Sequence, residues 1–301
     1  MIYAVASGKG GTGKTTVTAS LAAIWDRPLV AADLDVEEPN LHLFLHPALT
    51  GDAPAMLEVP EVDPERCTLC GQCAEFCQFK ALSVMGKKLL IFPEMCHGCG
   101  GCLALCPEGA LSPAGRELGR VLTGFFDADS GRRGGFLMGR LRVGEAMSPP
   151  LMRQVKALLP KPGDSRDALL DAPPGVSCPA VNAVMDAHCI VLVTEPTPFG
   201  LHDLRLAVDA FRPMGKPMGV VVNRAGAGDD RVQRYCADEG VPVWAEIPFS
   251  RAVAEAYSRG EVAARALPQL RAVFLALMAR MKDAAAASTS GLAAGKEASH
   301  A

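Results

Sequence analysis

Aromatic side chains are scarce in this 301-residue chain, 5% of the whole with two Trp and three Tyr, which leaves little material for the platforms on which nucleic-acid bases stack. Net charge is small as well. Thirty basic against 33 acidic residues leave a formal −3, so composition supplies no general attraction to nucleic acid or to an anionic lipid surface. No apolar run reaches the roughly 18 residues of a membrane span, and Met1 leads into a glycine-rich loop without the pattern of a cleavable leader. The expectation is a cytoplasmic protein with no nucleic-acid partner and no stable membrane anchoring. Hydrophobic residues, by contrast, make up 49%. That is enough for one large core or two smaller ones, and it excludes disordered and fibrous classes. Eleven cysteines in a chain without a leader read as metal ligands rather than disulfides.

Short apolar runs at residues 2–6, 29–32, 168–170, 189–193 and 219–222 alternate with helical stretches and read as buried parallel strands, the signature of an α/β fold. Eight cysteines crowd between Cys67 and Cys106, while Cys178, Cys189 and Cys236 stand alone. The crowding marks an inserted module at 61–113, with Pro54, Pro60 and Pro64 bracketing its entry and Pro113 with Gly115 its exit. The α/β domain is then discontinuous, 1–60 and 114–282. The small, polar residues 283–301 are expected to form a disordered tail.

Directly after the first strand comes Gly8-Lys9-Gly10-Gly11-Thr12-Gly13-Lys14-Thr15-Thr16, a GxxxxGK[ST] pattern with a predicted helix following. Backbone N–H groups of such a loop curl around phosphate oxygens, Lys14 reaches the β/γ phosphates, and the Thr15 hydroxyl meets Mg²⁺. A glycine-rich turn of no function accounts for the glycines, but not for the strand, the helix and the Lys-Thr pair together.

The additional lysine at position 9 makes KGGTGKTT resemble the deviant P-loop of the MinD/ParA class of ATPases, which includes the nitrogenase iron protein. The resemblance implies that Lys9 crosses to the nucleotide of a partner subunit, giving a homodimer that sandwiches ATP. Asp33-Leu34-Asp35 is similar to the class's DxD at the end of its second strand, where Asp35 would orient the attacking water and Asp33 lie near the metal; a helix cap is the plainer reading of Asp35. The run from Asp167 to Gly175 resembles a Walker B strand and its switch glycine, so Asp171 would hold Mg²⁺, directly or through water, and Gly175 could offer its N–H to the γ-phosphate. Asn223 is similar to the class's adenine-reading asparagine, and Pro248 sits where the base is flanked; a turn residue is the alternative for Asn223. Asp203 reads as a helix cap, and His202 carries no assigned chemistry.

Cys67-x2-Cys70-x2-Cys73-x3-Cys77 is followed by Cys96-x2-Cys99-x2-Cys102-x3-Cys106. Three cysteines at this spacing wrap one iron–sulfur cube while the fourth of each run reaches across to the other. The expected sets are Cys67, Cys70, Cys73 and Cys106 for one [4Fe–4S] cluster, and Cys96, Cys99, Cys102 and Cys77 for the other. The arrangement resembles bacterial two-cluster ferredoxins, with one departure: Gln78 stands where a proline usually follows the fourth cysteine. Tetrahedral zinc is the competing reading of paired CxxC motifs. His97 reads as a neighbour of the site rather than a ligand. Two oxidised cubes on eight thiolates would carry the formal charge to about −7, which suits a basic partner. Arg132, Arg133, Arg140 and Arg142 form a basic stretch, read as a partner site or as the solvated face of a hairpin. Cys178 lies seven residues after Asp171, as one cluster-ligating cysteine does in the nitrogenase iron protein, but no second cysteine occurs in 107–177 to complete such a site.

The whole resembles MinD-superfamily ATPases with an inserted ferredoxin domain, related to the nitrogenase iron protein and the Mrp-type ATPases. The implied fold is an α/β parallel-sheet P-loop NTPase carrying a small α+β ferredoxin-like insert. The implied function is ATP hydrolysis in a dimer switch, coupled to electron transfer through the two clusters to a redox or iron–sulfur partner. An iron–sulfur carrier or assembly ATPase and a MinD/ParA-like positioning ATPase are the alternatives.

Overall fold

The computed structural model describes the backbone of residues 1–297 and side chains through 288. Its eleven strands are β1 (Ile2–Ala6), β2 (Leu29–Asp33), β3 (Ala48–Val62), β4 (Leu82–Met85), β5 (Lys88–Ile91), β6 (Leu111–Asp127), β7 (Arg133–Leu141), β8 (Asp167–Asp171), β9 (Cys189–Thr194), β10 (Met218–Ala225) and β11 (Val243–Pro248). Nine form one sheet in the order β11-β10-β9-β1-β8-β2-β7-β6-β3, and β4 pairs with β5 apart from it. From β11 to β7 every pairing is parallel; β7–β6 and β6–β3 are antiparallel. The five strands expected from apolar runs are all present. They are apolar at nearly every position because helices cover both faces, so neither face can be polar.

The helices are α1 (Lys14–Ile24), α2 (His42–Leu45), α3 (Gln72–Phe76), α4 (Gly101–Leu105), α5 (Ser148–Lys156), α6 (Cys178–Val184), α7 (Pro198–Phe211), α8 (Arg231–Asp238), α9 (Arg251–Ser258), α10 (Ala263–Ala266) and α11 (Pro268–Glu297). One face of the sheet packs on α1, α10 and α11 through Val17, Leu21, Phe274 and Leu277. The other packs on α5 to α8 through Leu151, Val155, Leu204 and Phe211. Residues 283–297, expected as a disordered tail, continue α11. Alanine is the strongest helix former, and Ala285 is buried in the same core as Met281. Residues 298–301 of that expectation lie outside the described residues.

The largest departure concerns the prolines. Pro54 and Pro60 lie inside β3 and Pro113 inside β6, which pair without interruption of the ladder's direction from Ala48↔Phe125 to Val62↔Leu111. The cysteine segment is therefore borne on a two-stranded arm continuous with the main sheet, not on a linker. Pro60 stands opposite Pro113, so two of the three missing N–H donors share one rung, and Pro54 stands opposite Arg120; β3 is a sheet edge, where proline is tolerated. Pairing of β6 with β7 stops at Gly119. Beyond it the arm reaches free of the sheet by about 20 Å, at the usual rise of a strand. Periodicity missed β3 and β6 because their ribbon is buried on one side only and carries charge on the other, and it missed β7 because three glycines interrupt a strand that is buried through its middle. The basic stretch does not form one patch: Arg132 and Arg133 flank the start of β7, Arg140 and Arg142 its end.

Inside the arm's tip the two halves share one backbone course. Leu69 and Gly98 have φ of 58° and 65°, Gly71 and Gly100 78° and 71°, and Lys80 and Gly109 55° and 54°. Each pair occupies matching positions of the two cysteine runs, so the doubling in sequence is a doubling in conformation. Leu69 and Lys80 hold the left-handed region without glycine's freedom, at a cost of about 1–2 kcal/mol each.

In β10, a Cβ added to Gly219 would lie 1.9 Å from the Trp244 indole. Gly219→Ala should therefore lower stability by about 1–3 kcal/mol through overpacking, read as a lower urea midpoint at unchanged slope.

Candidate nucleotide site and cysteine cradle

β1 ends in the middle of the sheet, and residues 7–13 turn there into α1. Gly8 owes its identity to packing: a Cβ would meet the Asp203 carbonyl oxygen of α7 at 2.0 Å. Gly11 and Gly13 hold φ of 76° and 99°, which side chains adopt only with strain. Around Gly10 there is open space. The Ser7 hydroxyl donates to the Lys9 carbonyl at 2.5 Å, and the Gly13 carbonyl receives the N–H of Val17 to start the helix. Lys14 is buried; Thr15 and Thr16 are half-buried.

Asp171 ends β8 between β1 and β2. Its carboxylate accepts from Thr15 Oγ1 at 2.7 Å and from Thr18 Oγ1 at 3.0 Å. Asp33, its register partner on β2, accepts the N–H groups of Asp35 at 3.1 Å and Leu41 at 2.9 Å. Asp33 thus shapes the loop that presents Asp35. Both Asp33 and Asp171 are fully buried. Burial pushes both carboxyls up, with the Asp171 charge adding to the rise at Asp33 and Lys14 partly offsetting it at Asp171. Half-buried Asp35 is pushed up to about 6, by burial first, with Lys14 opposing and Asp171 adding. Two buried carboxylates beside a threonine hydroxyl are a hard-oxygen set that fits Mg²⁺. The Thr12 hydroxyl is buried and has no hydrogen-bond partner among the described residues, as a loop group that awaits an external acceptor would be.

Three expected residues are occupied differently. Gly175 donates its N–H to the Ser7 carbonyl at 2.9 Å, so that donor is spent on the loop. Asn223 donates its amide to the Thr12 carbonyl at 2.8 Å and accepts from the N–H of Arg224, which pins it against the phosphate loop. Lys9 points within 4.0 Å of Glu195, whose other oxygen pairs with Arg224 at 2.7 Å. Glu195 and Arg224 were not anticipated: the first follows a strand and the second an asparagine, and no spacing marks either. Pro248 pairs with Ala225 at the end of β11 and is exposed.

At the tip of the arm the eight cysteines divide across the two runs. Cys77, Cys96, Cys99 and Cys102 line one cavity of about 250 Å³, walled by Phe76 and Leu82. Cys67, Cys70, Cys73 and Cys106 line a second, tighter one of about 20 Å³. Cys77, Cys96 and Cys106 accept backbone N–H groups from Ala81, Gly98 and Ala110 at 3.3, 3.4 and 3.2 Å. Burial pushes Cys102 up to about 11 and raises Cys73, so binding a metal group through these two must release their protons. No three His, Cys, Asp or Glu among the described residues gather tightly enough to hold a single metal ion. A cube bonds its four thiolates to four separate irons and needs them further apart than one tetrahedral ion does. The fourfold sets, their backbone donors and their apolar walls fit such a group. His97 stacks on Phe79, ring centres 3.4 Å apart. Cys178 is exposed at the first position of α6, while Cys189 and Cys236 lie in the core, where burial raises them to about 12 and about 11.

A phosphate loop between strand and helix, with buried carboxylates at the carboxyl ends of neighbouring parallel strands, defines a P-loop nucleotide-binding α/β protein. The model of the CobQ/CobB/MinD/ParA nucleotide binding domain matches residues 3–263, and the chain belongs to that family. Two uncharacterized proteins of Methanocaldococcus jannaschii are 29% identical over 87% of this chain and 90% of theirs, and 32% identical over 75% and 79%. Among solved structures, MinD of Pyrococcus horikoshii, complexed with Mg-ADP, superposes with a TM-score of 0.54 at 22% identity, over 92% of this chain and 93% of its own. Pyrococcus furiosus MinD gives 0.54 at 22%, over 94% and 98%. The chain thus carries a nucleotide-binding domain of this family, in a fold shared with the MinD structures.

Asp35→Asn is expected to retain nucleotide and lose hydrolysis by about 100-fold or more, the scale of a positioned proton acceptor. In the unsubstituted protein hydrolysis should fall as pH drops through about 6, where Asp35 takes up its proton. Stability moves oppositely. A carboxyl raised above its unfolded value of 3.8 favours the fold at low pH and loses that contribution as pH rises through its folded value. At pH 7 the nucleotide-free Asp35→Asn protein should be more stable by about 1–2 kcal/mol, solvent access having reduced the full effect, and the difference should vanish near pH 4 in thermal melts.

Proposed function

We propose that the chain hydrolyses ATP in a nucleotide-bridged homodimer and couples that switch to electron transfer through two [4Fe–4S] clusters in the insert at 61–113, the ATPase domain being 1–60 and 114–282. The observation that carries the reading is the crossed sorting of the cysteines: each cavity draws three from one run and the fourth from the other. Cys67, Cys70, Cys73 and Cys106 would hold one cluster and Cys77, Cys96, Cys99 and Cys102 the other. When bound, the clusters supply one-electron carriers; the protein supplies N–H donors to the sulfurs and walls that exclude water.

At the nucleotide, Lys14 and the loop N–H groups bind phosphate, and Thr15 with Asp171 holds Mg²⁺, Asp33 nearby. Asp35 orders water in line with the γ-phosphate. Lys9 serves the partner's nucleotide, for which it must leave Glu195. Gly175 meets the γ-phosphate only by releasing Ser7, a ready-made two-state contact. The protein acts in the cytoplasm with a redox partner carrying basic charge.

Anaerobic purification should yield about eight irons and eight sulfides per chain, with an electron paramagnetic resonance spectrum that changes on adding ATP and Mg²⁺. Zinc in place of iron would refute the cluster assignment. A spectrum, potential and partner affinity indifferent to nucleotide would refute the coupling. The likeness to MinD favours one second reading, a positioning ATPase; ATP-dependent pelleting with liposomes or DNA would establish it. No described helix is long and apolar enough to cross a membrane.

A further inference from the structure

One element touches every part that the proposed switch must connect. Helix α5 packs Leu151 and Val155 beneath Val36, the residue after Asp35. Gly139 permits this: a Cβ there would lie 2.5 Å from Val36, 3.1 Å from Val155 and 3.3 Å from Leu151. At its last turn, Lys156 donates to the Asn182 carbonyl of α6 at 2.5 Å and pairs with Asp186 at 2.7 Å. Helix α6 is the first element after Asp171 and Gly175, so its position follows the segment that Gly175 anchors to Ser7.

The same helix grips the arm where it leaves the sheet. Gln154 donates to the Met56 carbonyl of β3 at 2.9 Å. Just before α5, Glu145 accepts the N–H of Met147 at 3.0 Å and pairs with Arg116 of β6, both side chains being nearly inaccessible. Met56 and Arg116 stand in adjacent rungs, one step past the end of the β6–β7 ladder. Met147 packs on the apolar cluster of Leu57, Val59 and Leu118 that continues into the cysteine cradle. Breaking a buried ion pair on one side leaves an uncompensated charge, so the arm's root and the start of α5 move together.

We propose that α5 transmits the state of the nucleotide site to the cysteine-bearing arm, with Lys156 and Gln154, both in its last turn, as positioning residues toward α6 and toward the arm respectively. The proposal rests on the coupling reading above. Movement of the segment after Asp35 or of α6 shifts a rigid helix whose other contacts hold the arm. Contiguous contacts become a pathway only when coupling is measured through them, and neither residue touches nucleotide or cysteine.

Hydrogen exchange on the anaerobically purified full-length protein supplies that measurement, comparing ADP–Mg²⁺ with ATP–Mg²⁺. In the unsubstituted protein, residues 56–62 and 111–118 should change exchange rate by about five-fold or more, the lower end of ordinary allosteric coupling. Lys156→Met and Gln154→Ala should each abolish that difference while ATP affinity and basal hydrolysis stay as they were. Should Lys156→Met fold poorly, Gln154→Ala, which removes one exposed hydrogen bond to β3 and a long one of 3.5 Å to Pro150 within its own helix, decides alone. If the unsubstituted arm responds and the variants respond equally, α5 is not the transmitter and the coupling reading stands. If the unsubstituted arm does not respond, coupling itself fails and α5 with it.

Discussion

Two threonine hydroxyls on one carboxylate hold the nucleotide end of the molecule together. Thr15 and Thr18 both donate to Asp171, which fastens the first turns of α1 to the central strand of the sheet and so sets the direction in which the phosphate loop faces. Because Asp171 is fully buried, losing either donor would leave a charged group under-solvated, a heavier penalty than the hydrogen bond's own net worth. Asp33 repeats the device one strand away, fixing the loop of Asp35 by two backbone N–H groups. The site is thus assembled from sheet register outward: Val5, Asp171 and Asp33 lie on one line across β1, β8 and β2.

The loop is also braced from the side where an adenine reader and a partner-directed lysine are expected. Asn223 and Gly175 both spend their donors on loop carbonyls, and Lys9 rests near Glu195. Each is a contact that nucleotide or a second subunit can exchange for another, at little net cost in hydrogen bonds. Asn223 is held twice, by Thr12 and by the N–H of Arg224, whereas the Gly175 N–H has the single partner Ser7.

The second organising constraint is the edge of the sheet. A parallel α/β sheet normally ends where its helices stop covering it. Here β7, β6 and β3 extend it by antiparallel pairing, and the last two continue outward as the arm. A two-stranded ribbon alone is marginal in water, so the buried Arg116–Glu145 pair, Leu118 and α5 supply its support at the root. The cysteine cradle is thereby held at a defined distance from the nucleotide instead of on a tether.

The phosphate loop, the five core strands and both cysteine runs are local in nature. Gly11 and Gly13 need left-handed backbone, buried strands need unbroken apolar runs, and the doubled cysteine spacing carries a doubled backbone course, so sequence alone determined these. What only the tertiary structure decided is non-local. The arm's strands alternate under one-sided cover, Pro60 and Pro113 share a rung that no spacing reveals, and the roles of Gly8, Glu195, Arg224 and α5 exist only where distant segments meet. Such contacts depend on which strand lies beside which, and that is settled by packing the whole core at once.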